Sequence, residues 1–256
     1  MTAICIPAAS IRSRDHDDAE QLARDAGGML IAIRHVAAGA ALGKLGDRCS
    51  QELLDAEIRR RHPDDAILSE EGADDLRRLT ARRVWIVDPL DGTREFGEPG
   101  RVDWAVHVAL WEEGDIAAAA VALPGRGLVL STAQPPPRRA ADPGSPLRIL
   151  VSRTRPPDVA TRVADRLGAR LIPMGSAGAK IAAVVLGEAD AYLHAGGQYE
   201  WDSAAPVGVA LAAGFHASRV DGTPLRYNRP DPSLPDLLVC RPEIAERLLA
   251  AVRGVS

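Results

Sequence analysis

Residues 84–96 read VWIVDPLDGTREF. An apolar run, Val84 to Val87, ends in two acids three residues apart, Asp88 and Asp91, with Pro89 between them and the small residues Gly92 and Thr93 behind them. The run reads as a buried strand, Arg83 to Asp88. Two carboxylates side by side at its end repel, so the pair needs a proton, a cation or a role that uses the repulsion. Pro89 fixes the backbone, which makes the Leu90 carbonyl available as a further oxygen ligand. The N–H groups of Gly92 and Thr93 are then offered to a phosphate.

More acids stand at the ends of other elements. Glu70 follows a strand, Asp202 precedes an apolar helix and Asp47 precedes another. A hard divalent cation such as Mg²⁺ takes oxygen ligands and keeps several waters. One carboxylate can bridge two such ions, and the pair can generate hydroxide and stabilise the leaving oxygen of a phosphate ester. Each acid also has an ordinary reading, since Asp-Pro and Asp-Gly belong to turns and an Asp before an apolar helix is an N-cap. That reading does not account for all of them together beside an Asp-x-x-Asp-Gly-Thr.

Outward from this strand, residues 17–36 carry apolar positions at helical spacing, Leu22, Ala26, Met29, Leu30 and Ile33. Ser50 caps a second helix with Leu53, Leu54 and Ile58 on its inner face. Strands are expected at 66–68, 104–111, 116–123 and 127–131. The segment QPPPRRAADPGSP, 134–146, is proline-rich and aperiodic, and it places a boundary between a first domain, 1–140, and a second, 141–256. The second half alternates strands (147–152, 171–172, 190–194, 215–220, 237–240) with helices (158–167, 175–186, 202–213 and a last one), which indicates an α/β layer.

The 256 residues suffice for a large core, and 46% apolar with 26% charged residues is a soluble globular composition. A net charge of −4 gives no reason to expect nucleic acid as a partner. Cys5, Cys49 and Cys240 form no CxxC pair, which argues against zinc and for a reducing compartment. The start, MTAICIPAASIRSRDHDD, has no long apolar core of a signal peptide, and no run approaches the roughly 20 apolar residues of a membrane span. The expected place is the cytoplasm.

DPLDGTREF at 88–96 resembles the first signature of the inositol monophosphatase superfamily, and WDSAAPVGVALAAG at 201–214 the second. SEEG at 69–72 is similar to the upstream Glu-Glu element and LGD at 45–47 to a still earlier Asp element. The resemblance covers nearly the whole chain. It implies a layered αβαβα sugar-phosphatase fold and Mg²⁺-dependent hydrolysis of a phosphate monoester with two to three ions. By the same motifs, Glu70, Asp88 and the Leu90 carbonyl hold the first ion, and Asp88, Asp91 and Asp202 the second. A third and weaker ion lies near Glu70. Asp47 with the Thr93 hydroxyl orients and helps deprotonate the attacking water. Gly92 and Thr93 hold the phosphate, and Glu71 joins the water network behind the ligands.

Arg94-Glu95 before Phe96, with GSAGAK (175–180), DAYLHAGGQYEWDSAAP (190–206) and DGTPLRYN (221–228), resembles the CysQ branch, the 3′-phosphoadenosine-5′-phosphate phosphatases, and its actinobacterial members in particular. That implies hydrolysis of the nucleotide's 3′-phosphate to AMP in the context of sulfate assimilation, with sensitivity to Li⁺. Arg94, Gly175, Ser176, Lys180, Glu200 and Trp201 are the substrate contacts so implied, with His194, Gly196 and Gly197 near the second signature. The partner is a small phosphate ester, an adenine nucleotide, with no nucleic acid and no membrane, and the chain is a monomer or homodimer. Two residues depart from the pattern: Ser69 where a Gly precedes the paired Glu, and Pro206 where many relatives have Gly. If Asp202 caps its helix, Pro206 falls in the first turn, where no N–H is needed.

The rival readings are the same chemistry on inositol 1-phosphate, fructose 1,6-bisphosphate or histidinol phosphate, and a non-catalytic Mg²⁺/nucleotide-binding protein. The intact set Asp47, Glu70, Asp88, Asp91, Thr93 and Asp202 argues against the last. Lys180 opens a small-residue helix, a ready anion site. Arg101 is either a contact to a second phosphate or a surface residue. His107, alternating inside DWAVHVALW, reads as a packed strand residue, Trp85, Trp104 and Trp111 as core, and Arg59 to His62 as a solvated helix end.

Overall fold

The computed structural model describes residues 8–36, 41–139 and 144–255, with side chains from residue 14 onward. Cys5 and the expected boundary between residues 140 and 141 lie outside the described residues. Two long helices, α1 (Ala8–Val36) and α2 (Leu42–Arg61), come first. A mixed sheet follows, in the order β1 (Ala66–Ser69), β2 (Arg83–Asp91), β3 (Ala105–Glu112), β4 (Asp115–Leu123) and β5 (Leu128–Ser131). β1 and β2 run parallel and the other neighbours antiparallel. A short helix, α3 (Thr93–Gly97), leaves the end of β2.

The second sheet has the order β7 (Arg170–Met174), β6 (Arg148–Ser152), β8 (Ala191–Tyr199), β10 (Ser233–Cys240), β9 (His216–Ser218). Between its strands come α4 (Asp158–Leu167), α5 (Ala177–Val185) and α6 (Glu200–Ala212), and α7 (Pro242–Arg253) closes the chain.

The strands sort their side chains by the two-residue period of the pleat. On β2, Trp85 and Val87 join Leu22, Leu30, Leu54 and Ile58 of α1 and α2 in one core, whereas Val84 and Ile86 face a second core with α5 and α6. On β10, Leu237 and Val239 enter that same second core, while Leu238 and Cys240 pack against α4 and α7. The layers therefore run helix, sheet, helix, sheet, helix. The middle core draws on both halves of the sequence, because α5 and α6 are covered by a sheet on each side.

Three expected helix starts are corrected. α1 begins nine residues before the expected residue 17. Ser50 does not cap α2 but sits in its interior, and its hydroxyl donates to the Pro89 carbonyl at 2.7 Å. Asp47 accordingly lies within α2 and not before it. α6 starts at Glu200, so Asp202 is its third residue and Pro206 lies inside the helix, past its first turn. No helix of the described residues is long and apolar enough to cross a membrane.

Candidate functional site

Strict alternation would send Asp88 and Asp91, an odd number of residues apart, to opposite faces of the sheet. A bulge prevents this. Asp88 pairs with His107 and Asp91 with Ala105, so three steps on β2 match two on β3. The extra residue brings both carboxylates to one face. Pro89 and Leu90 are held in this kink from two sides: Leu90 N–H donates to Asp88 Oδ1 at 3.0 Å, and Ser50 holds the Pro89 carbonyl. Gly92 then turns the chain at φ +88°, where an added Cβ would also lie 3.2 Å from Ser176 Cβ and 3.3 Å from the Asp103 carbonyl oxygen.

The bulge, the end of β1 and the start of α6 bring Asp88, Asp91, Glu70 and Asp202 into mutual electrostatic reach. Asp88 is 1% exposed. Burial, then the charges of Asp91, Glu70 and Asp202, push its carboxyl well above the usual range. Glu70 keeps solvent contact, yet partial burial and then the Asp202, Asp91, Glu71 and Asp47 carboxylates push it up to about 7. Asp202, pushed to about 6 by burial and by Asp91, accepts the Tyr199 N–H at 2.7 Å and so helps cap its own helix. Asp47 also rises to about 6, mainly through burial, against the pull of its hydrogen bond from Thr93.

Asp91 goes the other way. Burial would raise it, but the His107 contact, the nearby Lys180 charge and the Ser176 hydroxyl together hold it below the ordinary value. Its Oδ2 accepts the Ser176 hydroxyl at 2.5 Å and the Gly178 N–H at 2.7 Å. His107, expected as a packed strand residue, is fully buried on β3, with Nε2 3.3 Å from that same oxygen and Nδ1 3.9 Å from Asp88 Oδ2. Its ring faces the acids because it stands opposite Asp88 in the register. DWAVHVALW alone does not state that register.

The Thr93 hydroxyl lies 3.1 Å from Asp47 Oδ1 and 3.2 Å from the Leu90 carbonyl oxygen. It has one proton for two acceptors, and a cation on the Leu90 oxygen would leave Asp47 as the better acceptor. Glu71 is exposed and adds its charge beside Glu70 and Asp47.

Several expected substrate contacts are occupied elsewhere. Glu200 is 0% exposed, and its carboxylate accepts the backbone N–H groups of Asn228 (2.6 Å) and Arg229 (2.8 Å), so it holds a loop and forms no wall of a cleft. Lys180, 4% exposed, donates to the carbonyls of Met174, Gly175 and Ser176, and burial pushes it down to about 8. Ser176 is turned to Asp91, and Gly175 N–H donates to Asp103 at 2.7 Å. An added Cβ at Gly175 would lie 2.3 Å from Glu95 Cγ, and Glu95 is paired with Arg153 at 2.7 Å. Arg94 is exposed on α3, and Arg101 pairs with Asp103. Trp201, half-buried beside Asp202, stacks on Tyr199 at 4.8 Å and 9°.

The donor set suits a hard divalent cation: carboxylate oxygens from three segments of the chain and a carbonyl held by a proline kink. The carboxyls that crowding drives to keep protons would give them up to such an ion. One ligand atom each of Asp88, Asp91 and His107 lies within 4.8 Å of the others.

The sequence pattern of the inositol monophosphatase family matches residues 40–256. The 3′-phosphoadenosine 5′-phosphate phosphatase of Mycobacterium tuberculosis is 57% identical over 218 residues, 82% of this chain and 82% of that protein. Its Mycobacterium leprae namesake is 52% identical over 251 residues, 93% of each chain. An inositol monophosphatase from Zymomonas mobilis superposes with a TM-score of 0.77 over 97% of this chain and 100% of its own, at 22% identity, a likeness of fold.

Proposed function

Because the chain belongs to the inositol monophosphatase family, we propose that its acidic cleft is a Mg²⁺-dependent phosphomonoesterase site that converts 3′-phosphoadenosine 5′-phosphate to AMP and phosphate. The observation that carries the chemistry is the bulge that sets Asp88 and Asp91 on one face, with Glu70 and Asp202 in reach. The names of the two mycobacterial relatives support the choice of ester.

Glu70, Asp88 and the Leu90 carbonyl would hold one Mg²⁺, Asp88, Asp91 and Asp202 a second, and a third would sit near Glu70. When bound, the ions supply an acidified water and offset the charge on the leaving 3′-oxygen. Asp47 orients the attacking water and takes its proton through the Thr93 hydroxyl, to which it is already bonded. Gly92 and Thr93 offer backbone N–H groups to the phosphate, at the start of α3 where such groups have no acceptor in the helix. The stacked Tyr199–Trp201 pair presents an aromatic face next to Asp202, suited to the nucleotide base. Arg94, exposed on α3, would supply a positive charge for the 5′-phosphate. The reaction belongs in a reducing cytoplasm, where the nucleotide is a by-product of sulfate assimilation.

Phosphate release with Mg²⁺, with and without Li⁺, from 3′-phosphoadenosine 5′-phosphate, inositol 1-phosphate and fructose 1,6-bisphosphate tests this. We expect the highest kcat/KM on the nucleotide, inhibition by Li⁺ and loss of turnover in Asp91→Asn. Preference for a sugar ester would discard the substrate while keeping the ion site. Full turnover by Asp91→Asn would discard the ion site itself.

A further inference from the structure

His107 is a buried group beside the cleft's acids that none of these steps uses. Its Nδ1 lies 3.0 Å from the Trp201 carbonyl oxygen, and since a carbonyl only accepts, this nitrogen donates. The opposite edge of the ring is thereby turned to Asp91. There Nε2 stands 3.3 Å from Oδ2 and has no hydrogen-bond partner of full geometry. The space for the ring is made by α5. A Cβ on Gly178 would fall 2.0 Å from Nε2 and 2.9 Å from Cδ2 and Cε1. One imidazole thus touches the strand end that carries Asp91, the helix that carries Asp202 and the helix turn that supplies the other two donors to Asp91.

We propose that His107 is a positioning residue: tied through Nδ1–H to the Trp201 carbonyl and seated in the space left by Gly178, its ring fixes the backbone beside Asp202 to β3 and limits where the Asp91 carboxylate can turn, so that both carboxylates would meet one cation at a fixed separation. Oδ2 already has Ser176, Gly178 and His107 around it, which leaves Oδ1 as the oxygen for the ion. The inference rests on the cation reading of the cleft. A group that orients a metal ligand typically contributes about 10–100-fold to metal affinity.

The test is Mg²⁺ binding by calorimetry to the unaltered protein, His107→Leu, Gly178→Ala, His107→Ala and the double variant His107→Ala/Gly178→Ala. It is joined to a Mg²⁺ titration of the unaltered protein carrying ¹⁵N-labelled histidine. We expect His107→Leu and Gly178→Ala each to weaken Mg²⁺ binding about tenfold or more. In the His107→Ala background the Gly178→Ala change meets no ring, so its effect should shrink to within about twofold. The His107 ring signals should move as Mg²⁺ binds, while those of His216, bonded to Ser218 at 2.9 Å, stay in place. Folded variants with unaltered affinity, or unmoved His107 signals under saturating Mg²⁺, overturn the proposal and leave the ion site standing. Absence of Mg²⁺ binding by the unaltered protein overturns both. If the variants do not fold, the titration alone decides, in either direction.

Discussion

Among single residues, the acids of the cleft carry a dependence of stability on pH. Glu70 at about 7, Asp202 at about 6 and Asp88 well above the usual range all hold protons in the folded, ion-free chain that they would lose on unfolding. The folded state then binds more protons than the unfolded one between about pH 4 and pH 7, so ion-free stability falls as pH rises through that window. Asp91, held below its ordinary value, works in the opposite sense, but only at lower pH. A divalent cation bound among them would take the place of those protons. The rise in Tm on adding Mg²⁺ should therefore be larger at pH 8 than at pH 5.5, as thermal denaturation at both values would show. Equal shifts would mean that the raised carboxyls are not ligands. These acids were legible because SEEG, DPLDGT and WDSAAP carry them. Glu200 was misread because the stretch YEWDSAAP does not say which of its acids turns inward to hold a distant loop. His107 was missed as a neighbour of the acids because its role depends on which residue lies across the strand pair.

At the level of elements, apolar periodicity served well where a helix carries its own signals. α4 spans Asp158–Leu167, as read from the sequence, with Pro157 before it and Gly168 after it. It served poorly where a start is set by packing. α2 begins after Ala41, which makes no side-chain cap bond, so the chain offers no local mark, and Ser50 drew the reading nine residues too far. The real determinants are close approaches. A Cβ at Gly43 would fall 2.6 Å from Thr93 Cγ2, and one at Gly46 would meet Phe96 at 2.8 Å and Leu90 at 3.0 Å. α2 can thus lie against α3 only through its glycines. Gly43→Ala should push Thr93 off Asp47, lowering kcat with little change in Mg²⁺ affinity, at an overpacking cost of about 1–3 kcal/mol. Steady-state kinetics beside urea unfolding would check both halves of that statement, and unaltered kcat would detach Thr93 from the reaction.

For the whole molecule, the layer order was foreseen from the resemblance, and the alternation of Val84 and Ile86 against Trp85 and Val87 carries it out. The proline-rich segment suggested two separate domains. Its composition could not show that the middle core is assembled from β2, β4, α5, α6, β8 and β10 together. A chain cut at residue 140 would leave the apolar face of the first sheet without α5 and α6. The intact protein should accordingly unfold in a single transition by circular dichroism and by tryptophan fluorescence alike. Two separated transitions would show that the halves hold themselves together independently. Arg78, fully buried, adds a polar tie of the same kind, reaching from the segment after Glu71 to Asn228 at 2.7 Å and to the Arg229 carbonyl.

The kink between Asp88 and Asp91 has a consequence for how the gene can vary. The two acids and the Leu90 carbonyl come together because of how many residues the segment holds, not only because of which residues those are. Replacing Leu90 with another apolar residue keeps that count and keeps the backbone carbonyl. Deleting it leaves the two acids two residues apart, where a regular ladder still points both to one face, but it removes the extra residue of the bulge and with it the kink that presents the Leu90 carbonyl beside them. A library of in-frame deletions across 88–91 should therefore be silent in phosphatase activity even where substitutions at the same codons are tolerated. The segment is constrained in length more tightly than in letters.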